Sequence, residues 1–148
     1  MRISVGLATL ADKVFFVHPN PNANPSDTPQ NTIAVIGIHG PTYIEENILR
    51  RCIKASTWDG QNFDRYALFP YDDTTERPTI IPETTLAETY PHAYRYLQSC
   101  KDILDQRDKG KPNPIAWYAY GRTQGLTTAR GPSLVTSPIN TQPNFLVL

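Results

Sequence analysis

Apolar positions along this chain come in short blocks separated by polar, proline-rich or asparagine-rich stretches, and the blocks change period from one to the next. Within residues 5–18, Lys13-Val14-Phe15-Phe16-Val17 is rich in β-branched and aromatic side chains and stops at His18-Pro19, which predicts a strand. Residues 19–31 interleave Pro19, Pro21, Pro25 and Pro29 with Asn20, Asn22, Asn24 and Asp27, a composition that supplies turns without periodicity and predicts a mobile surface loop. Ile33-Ala34-Val35-Ile36-Gly37-Ile38 is a continuous apolar run that predicts a strand buried on both faces. Thr42-Tyr43-Ile44-Glu45 matches a capping box, and Ile44, Ile48 and Cys52 follow at helical spacing, so a helix is expected to start at Thr42. Arg50-Arg51-Cys52-Ile53-Lys54 also reads as the entry to an extended segment, which leaves the end of that helix open.

Further along, residues 65–69 predict a strand closed by Pro70. Pro82 precedes a short helix, and Pro91 suits the first position of a second, longer one, on which Tyr90, Tyr94, Leu97, Cys100 and Leu104 form one stripe before a stop at Gly110. Arg95, Lys101, Asp102, Asp105, Arg107 and Asp108 fall on its solvated side. Residues 115–120 read as an aromatic strand, 121–125 as a turn, and 134–136 and 145–148 as strands. The sum is an α+β domain of short mixed strands, with a capped helix near 42–50 and a helical pair near 83–108.

Composition narrows this picture. The 148 residues fit one domain, and 14 prolines, 39% hydrophobic residues and a mean hydropathy of -0.43 exclude a long helical bundle. Cys52 and Cys100 are too few for a disulfide framework and form no Cys-x-x-Cys pair, as expected of free thiols in a cytoplasmic protein. No run reaches the roughly 18 to 20 apolar residues of a membrane span, and residues 3–11 are too polar for a signal core, so no membrane partner is expected. Basic and acidic residues number 14 each, yet they are unevenly placed. Residues 72–88 carry five carboxylates against Arg77, whereas Lys109, Lys111, Arg122 and Arg130 follow Asp108 with no acid through Leu148. The neutral total conceals a basic C-terminal third.

Catalytic patterns are scarce. There is no Walker or Rossmann glycine loop, no Gly-x-Ser-x-Gly and no His-Glu-x-x-His, and His18, His39 and His92 stand apart in sequence. Asp72-Asp73 and Glu45-Glu46 are adjacent pairs, which do not share a face and make no natural acid–base dyad. No catalytic residue, metal ligand or bound cofactor is therefore assigned to this chain. Trp117-Tyr118-Ala119-Tyr120-Gly121-Arg122-Thr123-Gln124-Gly125-Leu126 stands out instead, because Arg and Gln side chains suit bidentate contact with guanine and adenine edges. Arg122, Thr123 and Gln124 are the candidates for base edges, Lys54, Lys109, Lys111 and Arg130 for phosphates, and Tyr120 adjoins the turn. An ordinary β-turn with solvated tips is the alternative reading of the same string.

A resemblance sharpens this. The blocks Leu49-Arg50-Arg51-Cys52-Ile53-Lys54-Ala55-Ser56, Asp64-Arg65-Tyr66-Ala67-Leu68-Phe69-Pro70-Tyr71, Tyr90-Pro91 with Tyr96-Leu97, Leu104-Asp105-Gln106-Arg107-Asp108 and the 117–126 string occur in one order. In that order the chain, from about Gly6 to Leu148, resembles the TaqI-like target recognition domains of adenine-N6 DNA methyltransferases, including the fused type IIG restriction–modification enzymes. The resemblance implies that residues 1–148 are one specificity domain that reads double-stranded DNA, while a separate N-terminal domain binds S-adenosylmethionine and methylates a flipped adenine. The Asn/Asp-Pro-Pro-Tyr/Phe signature of that domain is missing, Asn113-Pro114-Ile115-Ala116 being the nearest string. The chain is thus expected to be an excised or split domain starting at Met1 and unable to methylate alone, its parent an adenine-specific methyltransferase with or without an endonuclease. Because base-contacting residues vary with the target in such enzymes, the shared blocks imply scaffold, with Trp117 and Arg107 structural and readout in stretches such as 57–62 or 127–136. The second hypothesis is a protein-interaction module, in which the stripe at 90–104 or the apolar C-terminus docks the catalytic partner. A small hydrolase is the third, and it requires one of the histidines to meet a carboxylate or hydroxyl in a cleft.

Overall fold

The chain order of strands and helices follows from two hairpins joined by one short central strand. A computed structural model describes residues 8–53, 65–75 and 77–122 and the strand at 134–135. Thr9 opens the described chain as a local turn: its Oγ1 accepts the Ala11 N–H at 3.0 Å and donates to the Asp12 carboxylate. That turn starts α1 (Asp12–Phe15), which passes directly into β1 (Phe16–Pro19). The strand predicted from residue 13 is therefore helical through Phe15, because both Val14 and Phe15 point into the core from a single turn.

β1 is the keystone. Its first half, Phe16 and Val17, pairs with β5 (Arg65–Leu68), and its second half, His18 and Pro19, pairs with β2 (Thr32–Gly37). β2 turns through Ile38 and His39 into β3 (Gly40–Glu45), with Gly37 opposite Gly40; Gly40 takes φ +106°, a conformation that L side chains rarely adopt. β4 (Leu49–Ile53) pairs with β5 and, in parallel, with β8 (Leu134–Val135), giving the sheet order β3-β2-β1-β5-β4-β8. A small second sheet joins β6 (Tyr71–Asp72) to β7 (Thr79–Ile80).

The helices are α2 (Glu83–Thr89), α3 (Pro91–Ser99) and α4 (Lys101–Asp105). Pro91 stands at the start of α3 as expected, since its missing N–H would have no partner there. The predicted single stripe holds, with Leu97, Cys100 and Leu104 buried, but the helix breaks at Cys100 (φ -103°, ψ 3°). With both sheet and helices present, the fold is α+β.

Three further expectations are corrected. The capped helix near 42–50 is absent: residues 40–45 are β3, a 3-10 turn spans Glu46–Ile48, and β4 follows. Ile44, Ile48 and Cys52 are all buried, each delivered by a different element, so helical spacing arose from two strands and a turn. Residues 33–38 form a strand, but only Val35 is fully enclosed and Ile36 is 38% exposed, because β2 lies one strand from the sheet edge. Residues 115–120 form no strand; Tyr118, Ala119 and Tyr120 are buried as irregular chain. The loop at 19–31 carries Asx turns, with Asn20 and Asn24 side chains accepting the N–H groups of Asn22 and Ser26 at 3.0 Å each.

Candidate functional site

Arg107 organises the basic end of the molecule. Its guanidinium is half-buried over the Phe15 ring and donates to four backbone carbonyls: Leu104 at 3.1 Å, Thr9 at 2.9 Å, Ala119 at 2.7 Å and Trp117 at 3.0 Å. Burial holds its pKa below the ordinary value, but an arginine in such a nest of carbonyls stays cationic at neutral pH. One planar fork thereby ties the end of α4, the segment before α1 and the aromatic run together. Arg107 is not a solvated side chain.

The aromatic run closes the core beneath it. Tyr120 donates its hydroxyl to the Leu68 carbonyl at 2.7 Å, and its N–H donates to the Tyr71 hydroxyl at 2.9 Å. Its ring lies edge-on to Phe15 and Tyr71 and is 1% exposed, so Tyr120 offers no surface to a base or a phosphate and leaves the candidate set. Tyr118 donates to the Ile81 carbonyl. Trp117 is only part-buried: its Nε1 donates to Glu83 at 3.2 Å, and Lys101 Nζ sits 5.7 Å from its ring centroid.

Past α4 the chain makes a tight reversal in which Asp108 (φ 52°), Lys109 (φ 58°) and Gly110 (φ 82°) are all left-handed. Across from it, residues 121–122 are held to the start of the described chain by Gly121 N–H to Thr9 O and Arg122 N–H to Ala8 O, both 2.9 Å. Between these walls lies a groove of about 570 Å³. Lys101, Lys111 and Arg122 line it along with Arg107, against the carboxylates Asp105 and Asp108. Lys101 is paired with Asp105 at 2.7 Å, and Arg122 lies 3.9 Å from Asp108 while bonding the Gly121 carbonyl at 2.9 Å. Lys111 is exposed at the groove, and Lys109 is exposed on the reversal beside it.

Of the predicted site residues, the fold thus gathers Lys109, Lys111 and Arg122 at one end. Lys54, Thr123, Gln124 and Arg130 lie outside the described residues, as do the predicted strand at 145–148 and most of the turn at 121–125. Sequence reasoning did not select Leu10 or Lys101, which also line the groove. Lys101 was readable only as a member of a charged helix face, and Leu10 carries no sequence signal, because its place depends on Gly121 opposite.

The histidines do not build a cleft. His92 Nδ1 lies 2.9 Å from Glu45 Oε1, but that carboxylate also accepts the N–H groups of His92 and Ala93 at 2.7 and 2.9 Å, so it serves as the cap of α3. His39 Nε2 lies 3.1 Å from the Ser99 carbonyl, and no histidine lines the groove. Among the described residues no cluster of His, Cys, Asp or Glu is arranged to hold a metal ion, and no helix is long and apolar enough to cross a membrane.

No family model matches the chain. It is similar to the type II restriction enzyme and methyltransferase RM.Eco57I of Escherichia coli, with 34% identity over 65 residues, or 41% of this chain. The chain spans about 6% of the length of that relative, so the likeness links it to a restriction–modification protein through one stretch only.

Proposed function

We propose that the chain is the DNA-recognition domain of an adenine-specific restriction–modification methyltransferase, reading a short duplex sequence and doing no chemistry itself. The observation that carries this is the likeness over 65 residues to a type II restriction enzyme and methyltransferase, in a chain whose described residues gather Lys109, Lys111 and Arg122 at one end. In this reading Lys109 and Lys111, with Lys54 and Arg130, meet phosphates, and Arg122, Thr123 and Gln124 approach base edges. S-adenosylmethionine and methyl transfer belong to a separate domain, whose docking supplies the second half of a clamp around the duplex.

The separation of cationic contacts from chemistry explains how a chain of zero formal charge serves a polyanion: the positive residues need to be local, not in excess. Repeated selection of the full chain from a randomised duplex pool tests the proposal. Enrichment of one short sequence is expected, together with a log affinity that falls linearly with log salt by about 0.9 per phosphate contact. A pool that stays random and an affinity indifferent to salt would sink the reading.

A further inference from the structure

Left-handed backbone is costly for a residue with a side chain, and among the described residues four such positions occur outside glycine: Leu10, Asn31, Asp108 and Lys109. Asn31 sits in a loop, where asparagine tolerates this conformation. The other three border one feature. Leu10 and Asp108 line the cationic groove, and Lys109 stands between Asp108 and Gly110 on its wall.

Leu10 is the least expected of them. A leucine at φ 58° has no local hydrogen bond to offset the strain, and it holds an apolar side chain 47% exposed. The site is built to keep it there: a Cβ on Gly121 would come within 2.4 Å of Leu10 Cγ, so only glycine opposite lets the leucine lie across the groove wall. Thr9 O and Ala8 O, bonded by the N–H groups of Gly121 and Arg122, tie the backbone just before Leu10 to the opposite wall. The exposed leucine fixed by glycine shares the groove with Lys111, with Lys101 paired to Asp105 and with Arg122 3.9 Å from Asp108, and an apolar contact beside cations is the chemistry of a nucleotide: one apolar face and one phosphate.

We infer that this groove holds one strand of bound duplex DNA, with Lys111 on its phosphates, Arg122 turned to a base edge and Leu10 packed against the apolar face of a nucleotide. The inference rests on the DNA-recognition reading and adds to it a contact residue, Leu10, together with a place for the strand. Strain concentrated at one groove, rather than spread along the chain, is what an apolar contact held ready before binding requires.

Fluorescence anisotropy of the full chain with a labelled duplex pool of randomised sequence, over a salt series, tests it. Leu10→Gly suits φ 58° and should leave the thermal midpoint within a few degrees while weakening binding by about tenfold, the loss expected when a leucine no longer buries its side chain on a ligand. Lys111→Ala, at an exposed position, should reduce the salt slope by about 0.9 and Arg122→Ala should weaken binding about tenfold, whereas Arg95→Ala, on α3 away from the groove, should leave both unchanged. Salt-dependent binding by the unaltered chain that none of the three groove substitutions weakens would overturn the groove and leave the recognition reading standing. Absence of duplex binding by the unaltered chain would overturn both.

Discussion

The Glu45 carboxylate accepts the backbone N–H of His92, 47 residues further along the chain, at 2.7 Å, and with its second oxygen the N–H of Ala93 at 2.9 Å. A residue at the end of β3 therefore caps α3, where neither Tyr90 nor Pro91 supplies a side-chain acceptor. Glu45→Ala should cost about 1–2 kcal/mol in urea unfolding, the range of a lost helix cap. His92→Ala, which keeps both main-chain donors, should cost less. Thr42→Val should change stability by no more than about 0.5 kcal/mol, since Thr42 sits in a strand that favours β-branched residues. A larger loss for Thr42→Val than for Glu45→Ala would count against this division of roles.

Arg107 illustrates why a charged residue in a helical segment need not be a surface residue. Four carbonyls converge on its fork, and lysine cannot reach them in the same plane. Arg107→Lys should lower stability by about 2 kcal/mol and Arg107→Ala by about 3, from the loss of charge-assisted bonds and the carbonyls left unpaired. Because the same fork holds the Thr9 carbonyl next to Leu10 and the Trp117 carbonyl on the groove wall, Arg107→Lys should also raise amide exchange at residues 9–12 before global unfolding. Uniform protection across the chain in that variant would refute the local part of the prediction.

The sequence disclosed those elements whose boundaries are written in their own residues. Pro82 and Pro91 mark the helix starts, Pro70 ends β5, and Leu97, Cys100 and Leu104 keep a helical stripe even across the break at Cys100. Residues 42–50 were misread because a capping box and i, i+4, i+8 burial are local patterns that a strand, a turn and a second strand reproduce when a hairpin partner is present. Tyr118 and Tyr120 read as strand because strands bury aromatics; here hydroxyls bonded to Ile81 and Leu68 carbonyls bury them without a ladder. At the candidate site, the basic balance after Asp108 pointed to Lys109, Lys111 and Arg122, but Leu10 depends on a contact with Gly121 from the other end of the described chain. No window of sequence contains that contact.

Gly37 and Tyr96 make a second close pair. A Cβ on Gly37 would stand 2.6 Å from Tyr96 Cε2, and the Tyr96 hydroxyl donates to the Val14 carbonyl at 2.7 Å. Gly37→Ala must displace the ring and break that bond, at a cost of about 2 kcal/mol, within the range for overpacking a filled core. Tyr96→Leu loses the hydroxyl but removes the ring, so the double variant should be less destabilised than the two single losses added together. Strict additivity in chemical denaturation would mean that a methyl at position 37 does not meet the Tyr96 ring in solution.

Alkaline pH should unfold this protein through its core tyrosines. Burial pushes the phenols of Tyr71, Tyr96, Tyr118 and Tyr120 above their ordinary value, Tyr118 to about 12 and Tyr120 well beyond that of an exposed phenol. Tyr96, Tyr118 and Tyr120 donate their hydroxyls to carbonyls, which a phenolate cannot do, whereas Tyr71, whose hydroxyl accepts the Tyr120 N–H, is held neutral by burial. The unfolded chain ionises near pH 10, so it releases protons there while the native state keeps them, and stability falls with rising pH. Stability should therefore be full below about pH 10 and decline between about 10 and 12 as Tyr118 reaches its folded value, with the remaining tyrosines extending the loss upward. Urea midpoints measured across that window, beside the ultraviolet absorbance of phenolate, give the check. The native absorbance should lag behind that of the urea-unfolded chain, and coincident titration curves would show that these hydroxyls are not held in the core as the carbonyl bonds require.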